Sequence, residues 1–399
     1  MQKPFTRENF PAKVGPLPFL GLALISQTGM SFVQQGLVVL GVFFAAAYHL
    51  DLTDMGFITT ALSLGVMVSM VFVGLAVDRV GPRMVLFWGA LLMAVFTAAL
   101  LVVHSYSRLL AVLFLVGMSL AIAPSAGTKA VFSAFAGRPR GLVMGIRQTG
   151  VPIGAALAAF LLPRVVPAFG LSSVFVLFSL ELLVAGWAFV AVMRSWPTIR
   201  GNAPRGSLTR GDLKRLARPI MVAFLMVSGQ YILLTYTIAD LHQSHRFSLA
   251  AAGLVLAMSQ LGGGIGRVVL GQLSDRLGGL RAPVLAVTAA IGAATATAIA
   301  LLPATVSALL VFPLWIVFGF GAVGWNALAL TWAGESVPSA HSGFAMSLTG
   351  TIVFLGSSIF PPIFGWIVDT THQFSYGWLM LAVVLSFAAL IAGRSSISR

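Results

Sequence analysis

GLAVDRVGPR, residues 74–83, and GQLSDRLGGLR, residues 271–281, are two versions of one phrase. Each places an aspartate and an arginine beside glycine, just after one long apolar run and before the next. Asp78, Arg79 and Gly81 fall on Asp275, Arg276 and Gly278 at an offset of 197. The register holds outward, with Gly56, Leu64, Gly65 and Gly74 over Gly253, Leu261, Gly262 and Gly271. Farther along, an offset of 202 sets Gly117 and Gly141 on Gly319 and Gly343. Isolated glycine matches mean little in a chain with 42 glycines, but an ordered set around Asp-Arg-x-Gly reports a duplicated unit. The second apolar run therefore lies over the eighth, and the fifth over the eleventh, in the same orientation.

The apolar runs identify the solvent. Of the 399 residues 58% are hydrophobic and 9% charged, whereas a soluble chain carries about 25% charged residues. Stretches of about 20 apolar residues follow one another almost without pause, each long enough to cross a bilayer as a helix. No period-2 alternation with polar lumen positions competes, which excludes a β-barrel. Spans are expected at 17–47, 54–76, 83–104, 108–135, 141–164, 172–193, 218–240, 249–273, 281–302, 304–330, 341–367 and 374–393. The fold class is then an all-α polytopic membrane protein, with twelve transmembrane helices in two pseudo-symmetric six-helix bundles. Residues 1–193 form one bundle and 218–399 the other, joined by a basic linker over 194–217. The GDLKRLAR end of that linker suits a short amphipathic surface helix or a solvated tether equally. The first run is too long for a signal-peptide core and lacks a cleavage site, so it reads as the first span.

A net charge of +14 suggests nucleic acid until its placement is read. Eighteen of the 24 Lys and Arg lie at the two termini, in the central linker and in the loops on the same side, Arg83 and Arg281 among them. The opposite side holds Arg108, Arg164 and Arg246. By the positive-inside rule both termini and the linker are cytoplasmic, as an even number of spans requires. The charge is therefore topological and calls for no nucleic-acid partner. With no cysteine there is no disulfide framework, thiol catalysis or Cys-based metal site. No HExxH, nucleophile elbow, phosphate loop or paired catalytic carboxylates appear, so neither an enzyme nor a bound cofactor or metal is expected.

The repeated phrase resembles the signature loop of the major facilitator superfamily. GLAVDRVGPR is similar to the loop between the second and third spans, and GQLSDRLGGLR to its weaker copy between the eighth and ninth. One departure is Pro82, where the family usually has a basic residue. The resemblance covers the whole chain and implies two bundles that rock about a central site in a secondary transporter. Independently of it, Gly74, Asp78, Arg79, Gly81 and Arg83, with Gly271, Asp275, Arg276 and Gly278, suit a cytoplasmic latch. Glycines there allow close helix approach, and a carboxylate can meet a neighbouring helix N-terminus or Arg. The plainer reading is a helix-end turn carrying topogenic charge.

Inside the spans remain Lys129, Arg147, Arg267 and Glu181, each costly against lipid and so expected to face a cavity or a partner. Arg267 stands eight residues before Asp275, about 12 Å along a helix. In GRVVLGQLSD it resembles the eighth-span arginine of monocarboxylate and oxalate transporters, which implies contact with a substrate carboxylate through a two-pronged guanidinium. It can instead anchor its helix on Asp275, Glu335 or a backbone carbonyl. Lys129 follows APSAGTK, similar to the fourth span of organic-anion symporters, with lysine in place of arginine; snorkelling to the interface is its alternative. Arg147 can reach the cavity, or buttress the gate near Asp275, which is slightly favoured. Its neighbourhood, Gly150-Val151-Pro152-Ile153-Gly154-Ala155, has the flavour of the fifth-span motif of drug/proton antiporters without matching it.

Glu181 is the carboxylate nearest a span's middle and the candidate for carrying a coupling proton, although sixth spans of the family usually stand outside the bundle. Asp240 and His242 read as a solvated helix end. Gln27, Gln34 and Gln35, Gln230, Tyr231 and Tyr236, Gln260 and Asn326 complete the expected lining, with interhelical bonding the alternative for each. Trp196, Trp366, Tyr376 and Trp378 read as interfacial anchors. Together these predict a monomeric transporter of a bacterial inner (plasma) membrane. It would move a small anionic substrate, most simply a carboxylate, by alternating access with protons as coupling ion. Proton-coupled efflux of drugs or metabolites is the runner-up, and a non-transporting receptor or scaffold is remote.

Overall fold

The computed structural model describes residues 16–122, 146–193, 209–338 and 341–394. α1 (Pro16–Val39) and α2 (Gly41–Tyr48) meet at a bend of 41° and together make the first span. α3 (Leu52–Val80) and α4 (Pro82–Ala99) are the second and third, and α5 (Tyr106–Leu120) is the described part of the fourth. Lys129 lies outside the described residues, as do the 141–145 start of the expected fifth span and Trp196. α6 (Gly150–Met193) runs through two spans, because Gly170 at φ 78° turns the chain back between the fifth and the sixth. α7 (Arg210–Gln243), α8 (Leu249–Arg276) and α9 (Arg281–Ala300) follow. α10 (Ala308–Val323) and α11 (Asn326–Glu335) share the tenth span, and α12 (Ser342–Thr371) and α13 (Phe374–Gly393) complete twelve.

Local chemistry explains the boundaries. Asp51 accepts the N–H of Asp54 at 2.7 Å and so caps α3. Gly81 takes φ 87° and hands over to Pro82 at the first position of α4, a left-handed stop followed by a preset start. Thr209 and Asp212 form a reciprocal capping box at the start of α7. GDLKRLAR thus forms the first turns of the seventh span itself, neither a separate surface helix nor a tether. Large apolar side chains point outward all round, with Phe72, Val184 and Leu309 67%, 70% and 84% exposed, as a lipid-facing surface requires.

The duplicated glycines are helix-packing points, and the packing is duplicated with them. A Cβ on Gly65 would strike the Phe114 carbonyl, and one on Gly262 would strike the Ile316 carbonyl. Gly117 meets the Leu62 carbonyl as Gly319 meets that of Ser259. The second span therefore packs on the fourth just as the eighth packs on the tenth, through backbone contacts that any side chain would prevent. Gly74, Gly81, Gly271 and Gly278 differ. A Cβ at any of them meets nothing within 4 Å, so the loop glycines make no close helix approach in this structure. Gly81 and Gly278 are instead needed for their positive φ.

We call the end that carries these loops the motif end and the other the far end. Bonds between the bundles gather in the far half. Asp369, near the end of α12, accepts the N–H groups of Leu52 and Thr53 at 3.1 and 2.7 Å and the Thr53 hydroxyl at 2.6 Å. The Tyr236 hydroxyl sits 2.9 Å from the Leu52 carbonyl and 2.6 Å from that of Pro361. Moving inward come Thr59 with Thr235, Thr60 on the Ser358 carbonyl, and Ser357 on Ser63. Gly56 lies against Pro361 and Pro362, and Gly253 against Ala159 and Pro163, one contact in each copy of the repeat. These contacts close the far half of the molecule between the bundles, beneath an open cleft lined by Asp51, His242 and Asp369.

Two aromatic and acidic expectations change here. Asp240 is not a solvated helix end: it is 1% exposed and accepts the indole N–H of Trp378 at 2.8 Å. Trp378 is accordingly no interfacial anchor but a buried member of a cluster with Trp315, Phe318 and Phe364. Helix α7 runs on to Gln243, so Asp240 falls within the bundle rather than at its rim. Trp366 and Tyr376 are half exposed near the span ends, as anchors are.

Candidate central cavity

Beneath the seal the bundles enclose a cavity of about 160 Å³. Gln27, Met30 and Gln34 reach it from one face of α1, at spacings of three and four residues. The start of the fifth span contributes Arg147, Gln148 and Val151; α7 contributes Val227, Gln230 and Tyr231. Arg267 enters from α8, Asn326 and Leu330 from α11, and Gly350, Val353 and Phe354 from α12. Gly150 and Gly154 press the fifth span onto α1 at Gln27, Thr28 and Ser31, which fixes Arg147 beside the first-span glutamines. The glycine-rich fifth-span stretch thus acts as a packing seam.

Arg267 is buried, and its contacts show how a guanidinium is held at this depth. Its Nε donates to the Val323 carbonyl at 3.3 Å and its Nη1 to the Gln148 carbonyl at 3.1 Å. Val323 is the last residue of α10, where the tenth span is interrupted at Gly324 and Trp325. The neighbouring Ala322 carbonyl takes the Trp325 indole N–H at 2.9 Å. Broken helices expose backbone where they line a cavity, and here side-chain donors fill the gap. Tyr231 stands within electrostatic reach of Arg267. Asp275 and Glu335, the alternative partners, both pair with Arg281 instead, and no carboxylate pairs with Arg267 among the described residues.

Of the residues expected from sequence, Arg147, Arg267, Gln27, Gln34, Gln35, Gln230, Tyr231 and Asn326 converge on this cavity. Arg147 lies in its wall rather than beside Asp275. Gln260 and Tyr236 do not line it. Gln260 shares the Arg267 face but sits two turns nearer the far end, where the seal buries it to 2% exposure. Tyr236 is engaged in the seal. Glu181 also stands apart: its carboxylate packs on Gly29 of α1, and Oε2 is buried with no hydrogen-bond partner among the described residues. The amide oxygens of Gln27, Gln35 and Gln230 are buried and unbonded on the same criterion.

At the motif end Asp275 joins Arg281, whose guanidinium also reaches Ser274 at 3.1 Å and Glu335 at 3.2 Å. All four residues belong to the second bundle, so the loop ties its own helices together; the Asp78 side chain lies outside the description. Arg79, Arg83 and Arg276 are exposed. Sequence reading did not reach Asp369, Thr53, Thr60 or Ser358. The available signal was a carboxylate near the end of the eleventh span, without any indication of what it would face.

Comparison with known proteins agrees with this architecture. An uncharacterised MFS-type transporter of Mycobacterium tuberculosis is 31% identical over 347 residues, covering 83% of this chain and 74% of that protein. The hexuronate transporter of Bacillus subtilis is 25% identical, covering 86% of each. An agnestins efflux protein of Paecilomyces divaricatus is also 25% identical, covering 80% of this chain and 71% of its own. Among solved structures, a bacterial homologue of the human lysosomal transporter Spinster, inward-facing and unoccupied, superposes with a TM-score of 0.78 at 14% identity, over 97% of this chain and 98% of that one. The Major Facilitator Superfamily profile matches residues 20–361, spanning both bundles and the cavity between them. This chain belongs to the Major Facilitator Superfamily of membrane transporters.

Proposed function

We propose that the protein moves a small, hydroxylated organic carboxylate across a bacterial plasma membrane by alternating access, with proton symport. The observation that carries this is a cavity with Arg147 and Arg267 in its wall and no carboxylate among its described lining residues. Such a field attracts anions, and a guanidinium binds carboxylate through directed hydrogen bonds. Gln27, Gln34, Gln230 and Asn326 bring amide donors and acceptors to the lining, which favours a ligand that carries hydroxyl groups. The volume favours a compact solute, since pockets for drug-sized ligands measure roughly 300–1,000 Å³. A named hexuronate transporter among the relatives points the same way, whereas the efflux protein supports the runner-up, export by exchange.

In this reading the chain works as a monomer with both termini and the motif end cytoplasmic. The far-end seal then faces outward, and the conformation is inward-facing. Lys129, at the fourth span, would add to the positive field. Glu181 is the candidate proton carrier, a carboxylate within the first bundle whose buried Oε2 has no hydrogen-bond partner among the described residues.

The test is uptake into proteoliposomes of labelled D-glucuronate, lactate, succinate and a cationic dye, with and without an inward proton gradient. Arg267→Gln is expected to lower carboxylate uptake at least about a hundred-fold, the loss of a charge-assisted pair of about 3 kcal/mol. Glu181→Gln is expected to remove stimulation by the gradient while leaving exchange of bound substrate. Dye transport indifferent to Arg267→Gln, with no carboxylate uptake, refutes the reading in favour of efflux.

A further inference from the structure

The fifth and eighth spans share a hydrogen bond to a carbonyl whose usual helical donor is missing. A helical carbonyl is normally filled by the N–H four residues on. For Gln148 that residue is Pro152, which has no N–H. Gln148 stands just ahead of Gly150, across a turn at Thr149, so its carbonyl has no main-chain donor at that position, and Nη1 of Arg267, from the other bundle, takes it at 3.1 Å. The same device appears in the seal, where Pro362 deprives the Ser358 carbonyl of its partner and the Thr60 hydroxyl fills it at 2.6 Å. The two differ in one respect. Thr60 and Ser358 lie outside the cavity lining, whereas Gln148 and Arg267 are both part of it. A ligand in the cavity can therefore reach one tie and not the other.

We propose that Pro152 is a positioning residue that makes the Gln148 carbonyl a competitor of the substrate for Arg267, so that substrate binding releases a tie between the bundles. A carboxylate is a stronger acceptor than a peptide carbonyl for a guanidinium N–H. The tie holds the fifth and eighth spans together in the empty protein, and an anion arriving at Arg267 takes over the donor. Binding and bundle separation are then linked reciprocally: what loosens the tie strengthens binding by the same factor. This rests on the anion reading for the competitor; the tie itself does not.

The chain contains no cysteine, so a single engineered pair can be spin-labelled without background. Val80→Cys and Leu277→Cys, both exposed at the motif end of opposite bundles, serve as reporters. In the ligand-free protein, Pro152→Ala supplies a main-chain N–H that can compete for the Gln148 carbonyl and is expected to widen the distance distribution, as is Arg267→Gln. The double variant is expected to widen it no further than either single one, because both cut the same bond. Alanine is a better helix former than proline, so folding is not at stake. A Pro152→Ala effect that persists undiminished in Arg267→Gln would be helix straightening and overturns the proposal, as does no effect. Saturating D-glucuronate is expected to widen the unmodified reporter protein and to bind Pro152→Ala about three- to ten-fold more tightly, the range of one neutral hydrogen bond. If the ligand-free results hold but D-glucuronate, lactate and succinate all leave the distribution unchanged, the tie stands and substrate competition is overturned.

Discussion

Arg267 and Asp369 are both charged side chains that cross from the second bundle to the first, and each is satisfied there by backbone. Arg267 donates to a carbonyl with no main-chain donor, and Asp369 accepts from the first N–H groups of α3, which no helix can satisfy internally. A carboxylate at a helix N-terminus also gains from the helix dipole. Asp369→Asn is therefore expected to weaken the far-end seal by about 1.5–3 kcal/mol, the worth of hydrogen bonds to a charged group. That raises the population open at the far end about ten-fold or more. An impermeant maleimide on Met55→Cys, buried in the wall beside the Asp369 contacts, reads this out: labelling should accelerate in Asp369→Asn, and an unchanged rate would refute the latch. Arg267 was legible as an intramembrane cation. Asp369 was not, because its meaning depends on a helix start more than 300 residues away.

At the scale of elements, the repeat predicts matched energetics. Gly117 and Gly319 occupy corresponding helix–helix contacts against backbone carbonyls. Valine at either site should lower thermal stability by a similar amount, of order 1–3 kcal/mol for overpacking. Gly74→Ala and Gly271→Ala, with nothing within 4 Å, should leave the melting temperature unchanged or slightly raised, since alanine favours helix. Melting followed by size-exclusion fluorescence in detergent checks both pairs, and a large fall for Gly74→Ala would mean that the loop glycine packs after all. The sequence showed which glycines correspond across the halves. It did not show that only some of them touch a neighbour, because a repeat preserves position without stating distance.

For the whole molecule, closure of the far end depends on Gly56 against Pro361 and Pro362 and on Gly253 against Ala159 and Pro163. A leucine at either glycine should hold that end open. Uptake should then be lost while carboxylate binding from the outer face of proteoliposomes persists; loss of binding together with uptake would show a folding defect instead. The sequence by itself determined the solvent, the twelve spans, the duplicated halves and the intramembrane arginines, because hydropathy, charge placement and internal repetition are local or periodic properties of a chain. Tertiary structure alone decided which polar residues share the cavity. Gln230 and Tyr231 line it while Tyr236, on the same helix, belongs to the seal; Gln260 is shut off two turns from Arg267; Asp240 and Trp378 bury each other. Helical period reports the face a residue occupies, but the depth at which two bundles close is set by contacts between distant segments. Even the repeated loop phrase with which the fold was recognised turns out, at Asp275 and Arg281, to bind its own bundle, while the bond that reaches across starts eight residues earlier, at Arg267.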